Sequence, residues 1–72
     1  MAANSISERV EHWHCAGLPS KGLSASERTE VIEDAQSSFM AEFVGKSEQE
    51  LKALDDRSLV AVHYWAMLEA TR

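Results

Sequence analysis

His12, His14 and Cys15 lie within four positions of VEHWHCAGLP, and together they are the residues most able to do chemistry. Two chemistries are open to them. The first is zinc binding. Ligands on one helix need a spacing of three or four residues to share a face. His12 and Cys15 meet that spacing, but His14 falls about 200° around a helix from His12. His63 is the one other histidine, and no Cys-x-x-Cys or His-x-x-x-His pair occurs. No metal and no cofactor are therefore expected.

The second chemistry is thiol catalysis. Cys15 would need a base held by a third group beside a shaped pocket. A 72-residue helical chain seldom encloses one. The expectation is that the chain is not an enzyme. Cys15 then reads as a small buried residue near the end of a helix, flanked by His12 and His14. A protonated histidine there interacts well with the helix dipole.

The elements that carry these residues are marked by their own punctuation. Ser5-Ile6-Ser7-Glu8 matches a capping box, and Ile6, Val10 and Trp13 follow at helical spacing. Gly17 and Leu18-Pro19 end that helix, which spans about 6–16. The loop GLPSKGL follows. Ser24-Ala25-Ser26-Glu27 opens a second, long amphipathic helix over about 25–44, with Ile32, Ala35, Phe39 and Phe43 on one stripe and Gly45 at its end. Ser47-Glu48-Gln49-Glu50 opens a short helix over about 48–54. Asp55 or Asp56 caps a last helix over about 57–71. No alternating strand pattern appears. The predicted fold is all-α, one domain over 1–72, with three main helices and one short one.

Composition narrows the class further. One small domain of this length buries only about 60% of its unfolded surface and is marginal without added support. A single cysteine cannot form an internal disulfide, and a lone thiol suits a reducing compartment. The polar start MAANSISERVEH has no secretory pattern, so a cytoplasmic location is expected. The net charge of −5, with seven scattered basic residues, argues against a phosphate backbone as partner.

Residues 59–68, LVAVHYWAML, contain no charged side chain apart from a titratable His63. At 100° per residue their apolar arc exceeds about 200°, more than one neighbouring layer can cover. The expectation is a homodimer through this helix, with Leu59, Val60, His63, Tyr64, Ala66, Met67 and Ala70 at the interface. Trp13 reads as core. Adjacent Tyr64 and Trp65 point about 100° apart, so one of them is expected to face a partner. The acidic side of the second helix, Glu27, Glu30, Glu33 and Asp34, could steer the chain toward a basic surface.

A short, acidic, all-helical chain without an enzymatic motif resembles the accessory proteins that temperate phages make early in infection, the anti-quorum-sensing (anti-activator) proteins among them. That resemblance implies a small helical dimer that binds and inhibits a host protein, such as a transcription regulator or a motor ATPase. It rests on size and character over the whole chain, so no functional residue is carried over. A second similarity, through LDDRSLVAVHY, is to small nucleoid-modulating helical proteins. It implies a DNA-binding regulator in which residues 47–72 imitate a helix-turn-helix. Such a reader places Lys, Arg, Gln or Asn on its second helix. Residues 57–72 offer only Arg57 and Arg72, at the ends.

Overall fold

A computed structural model describes residues 5–72, all of whose regular structure is helical: α1 (Ile6–Ala16), α2 (Ala25–Ala35), α3 (Ala41–Val44), α4 (Glu48–Ala53) and α5 (Asp56–Ala70). None of these helices is long and apolar enough to cross a membrane.

The caps account for most of the boundaries. Ser24 and Glu27 form a full capping box: Glu27 N–H donates to Ser24 Oγ at 3.1 Å and Ser24 N–H donates to Glu27 Oε1 at 2.8 Å. Ser47 and Glu50 repeat it at 3.2 and 2.9 Å. At α1 the box is half made. Glu8 N–H donates to Ser5 Oγ at 3.2 Å, but the Glu8 carboxylate turns to the Ser5 hydroxyl. Asp55, not Asp56, caps α5, accepting from Ser58 N–H at 3.2 Å.

Asp56 is thereby free for a second task. Its carboxylate accepts the Leu23 N–H at 2.9 Å and the Arg28 Nη1 at 2.6 Å. Arg28 also reaches the Leu54 carbonyl at 2.7 Å and the Lys52 carbonyl at 3.3 Å. One guanidinium thus ties α2 to the α4–α5 turn, using the planar fork of five donors that Arg carries. Gly22 lies against this node. It has φ +78°, and a Cβ there would meet Asp56 Oδ2 at 2.7 Å, so no other residue fits without displacement.

The long helix expected over 25–44 is two helices. It ends at Ala35, and residues 36–40 form a turn before α3. The cause is local. Ser37 offers both its carbonyl (3.0 Å) and its Oγ (3.3 Å) to the Met40 N–H, and serine competes with helix geometry in this way. The turn shifts the phase of everything after it. Met40 and Val44 enter the core at 4% and 9% exposure, while Phe39 and Phe43, expected inside, stand out at 65% and 41%.

α5 is the central element and packs against α1, α2 and α3. This corrects the expected dimer interface. Leu59, His63 and Ala66 are buried inside the single chain, and Val60 is almost wholly buried at the floor of a surface groove, so these four are core rather than an outer dimer face. Tyr64, Met67 and Ala70 are half-buried against the same core. The wide apolar arc is covered largely by the chain's own helices, because α1 lies on one side of α5 and α2 with α3 on the others. Only Trp65 and Leu68 remain as exposed large apolar side chains on α5. Val10, Trp13, Leu23, Val31, Ile32, Ala35 and Leu51 complete the core.

Candidate contact surface

The residues of the opening stretch separate. His12 is exposed, and so is Cys15, which was expected to be buried. Both lie in the C-terminal half of α1. His14 stacks on Tyr64, with ring centroids 4.2 Å apart and planes 16° apart, and meets Trp65 edge-on at 5.8 Å. Tyr64 and Trp65 themselves make an edge contact at 5.5 Å. Such aromatic pairs add about 0.5–1.5 kcal/mol beyond their burial. The Cys15 thiol lies 4.0 Å from the Tyr64 hydroxyl. That neighbour, followed by desolvation and Glu11, pushes the Tyr64 phenol above its ordinary range, so it stays protonated at neutral pH. Among the described residues, no three His, Cys, Asp or Glu side chains converge as a metal ion requires.

This aromatic cluster is the middle of a seam between α1 and α5. Above it a groove of about 530 Å³ is lined by Trp13, His14, Gly17, Leu18, Arg57, Val60 and Ala61. Arg57 makes no ion pair or side-chain hydrogen bond among the described residues. Below the cluster a hollow of about 220 Å³ is lined by Ser7, Glu8, Glu11, Tyr64, Met67, Leu68 and Thr71. The linings show that α1 and α5 run antiparallel. They also show that the seam is cationic at one end and anionic at the other.

A second apolar surface lies at the α2–α3 turn. Phe39 and Phe43 pack on each other with centroids 6.4 Å apart. Beside them a hollow of about 330 Å³ runs over Met40, Met67 and Ala70 to Asp34 and Ser37. Asp34 and Ser37 also line an adjoining shallow hollow with Glu30 and Glu33, which makes the two hollows continuous.

The acids expected to steer a partner are mostly occupied. Glu27 caps α2. Glu30 pairs with Arg9, whose guanidinium also lies 5.9 Å over the Trp13 ring. Asp34 Oδ2 accepts from His63 Nε2 at 2.6 Å. Glu33 alone of the four has no such partner among the described residues. His63 is wholly buried, and its Nδ1 has no hydrogen-bond partner among the described residues.

The sequence did not mark Phe39, Phe43, Leu68 or Arg57 as contact residues. The signal for the two phenylalanines was Ser37-Ser38, a pair of poor helix formers inside an apolar stripe. Both surfaces are apolar and rimmed by charge. No protein-family model, no curated protein and no solved structure matches the chain, so its reading rests on these two surfaces.

Proposed function

We propose that the chain is a protein-binding module that works as a pair of copies and acts on another protein by covering part of it. The observation that carries this reading is the exposure of four large apolar side chains, Phe39, Phe43, Trp65 and Leu68, on so small a domain. Leaving a Phe or Leu in water forgoes about 1.5–3 kcal/mol of burial. Contiguous exposed apolar surface of this kind marks interaction sites. Two separate pairs give the chain two surfaces, one for a second copy and one for a different protein.

The Phe39–Phe43 surface suits the different protein. It adjoins Glu30, Glu33 and Asp34, and Glu42 lies beside it in sequence, so an apolar anchor flanked by basic residues complements it. A DNA-binding face of a transcription regulator, or a nucleotide-driven motor's basic groove, has that character. Masking it would inhibit the host protein, in line with the anti-activator resemblance.

The test is affinity capture from host lysate with the wild type beside a Phe39→Ser/Phe43→Ser double variant. One stoichiometric protein that disappears with the double variant, and elutes earlier as salt rises, supports the reading. A salt-sensitive nucleic acid in its place, or capture indifferent to both substitutions, overturns it.

A further inference from the structure

We propose that the α1–α5 seam is the surface on which a second copy of this chain seats, about a two-fold axis, with Trp65 of each copy entering the groove at Ala61 of the other. This deepens the reading of a paired module by naming how the copies meet.

Three observations carry it. The first is a projection and a hollow on one stripe. Trp65 is 58% exposed, and Ala61, four residues earlier on the same face of α5, lines the 530 Å³ groove. A two-fold axis between them and perpendicular to α5 sets two α5 helices antiparallel. Each Trp65 then lies over the partner's Ala61, whose short side chain leaves room for an indole. A groove of this size is within the range that encloses small organic groups, roughly 300–1,000 Å³.

The second is charge. Arg57 marks the groove end of the seam, and Glu8 and Glu11 mark the other. The same axis brings each Arg57 to the partner's Glu8–Glu11 end. A second copy related by that axis presents the same two signs in reversed order, so both ends of the seam are matched at once. This local match works against the general repulsion between two chains of net charge −5.

The third is rigidity. His14 and Tyr64 hold the seam's centre by stacking, and Trp65 packs edge-on against both rings. The exposed indole is therefore already ordered, which lowers the entropy cost of association.

The experiment is sedimentation equilibrium of the full chain from micromolar to near-millimolar concentration, with circular dichroism as the control for folding. Every substituted side chain is at the surface or on the groove rim. The wild type forms dimers. Trp65→Ala raises the dimer dissociation constant by about a hundredfold, because each dimer loses two central anchors. Arg57→Glu and Glu11→Arg each raise it by about tenfold, and the two combined in one chain return it to within about threefold of wild type. A wild type that stays monomeric throughout overturns the pairing. If that monomer also loses its captured protein on Trp65→Ala, the seam belongs to the different partner and the protein-binding reading survives. A dimer indifferent to Trp65→Ala, or one that the double charge reversal fails to restore, overturns this mode of pairing while leaving a paired module in place.

Discussion

Removing the Asp34 carboxylate should cost this protein a large part of its stability, through a residue on a different helix. His63 is wholly buried on α5, and among the described residues Asp34 on α2 is its one hydrogen-bond partner, at 2.6 Å. An ionised carboxylate only accepts, so the Nε2–H donates to it, while Nδ1 has no partner among the described residues. Asp34→Ala orphans the Nε2–H as well, and both ring nitrogens are then buried without partners. Orphaning a buried polar group costs about 1–3 kcal/mol. Asp34 is about one-third exposed, so water reaches its side of the pair and holds the cost near the middle of that range. We expect about 2 kcal/mol. Marginal stability of about 0.05–0.15 kcal/mol per residue gives this domain about 4–11 kcal/mol in total. The loss is therefore a fifth to a half of it and lowers Tm by roughly 8–16 °C. Thermal and urea unfolding followed by circular dichroism read both. His63→Leu combined with Asp34→Ala should recover most of the loss, because removing both partners leaves nothing unsatisfied. A cost below about 0.5 kcal/mol for Asp34→Ala, or a double variant less stable than the single, refutes this account of the pair.

Other expectations follow from the same contacts. Arg28→Lys keeps the charge but loses the fork that spans Asp56 and the Leu54 carbonyl, and should cost about 1–2 kcal/mol in urea unfolding. The Leu23 N–H, and after it Arg28, hold the Asp56 carboxyl below its ordinary value, and Ser58 and Ser47 do the same for Asp55 and Glu50. A depressed carboxyl stabilises the fold above its unfolded pKa, and that contribution is lost as pH falls through the folded one. Stability should hold steady down to about pH 4 and decline below it, and Asp56→Asn should flatten the decline. Phe39→Ser should change the unfolding free energy by less than about 0.5 kcal/mol, since the side chain is already 65% exposed.

The helix starts were legible because each is a local signal. Ser24 with Glu27, and Ser47 with Glu50, need no information from elsewhere in the chain, and the structure makes both boxes. The end of α2 was not legible from periodicity. Apolar residues continue at three- and four-residue spacing through Ser37-Ser38, and Phe39 with Phe43 or Met40 with Val44 are equally good stripes. Only the turn decides which pair goes inside. The pairs Arg28–Asp56 and Asp34–His63 join residues 28 and 29 positions apart, and no short window contains them. The breadth of the apolar arc on α5 is legible in the sequence, whereas the helices that cover most of it, α1, α2 and α3, are known only from the packing. The aromatics were half legible. Trp13 is core, and of the adjacent Tyr64 and Trp65 one is half-buried and the other outside, as different faces require, while the role of His14 depends on a stack across two helices.

The Asp56 node has a bearing on the groove that does not touch it. The groove wall at Gly17 and Leu18 begins the loop whose other end, Leu23, is fastened to the Asp56 carboxylate. That loop has no helix of its own to stiffen it, so its free length is set by the two points at which it is anchored. Loosening the far anchor would let the near wall breathe. The groove is in this sense tensioned from outside, by a carboxylate some forty residues along the chain from the wall it steadies. A change at Asp56, Arg28 or Gly22 would then surface first as altered exchange of the backbone amides of residues 17–23, well before the helices part.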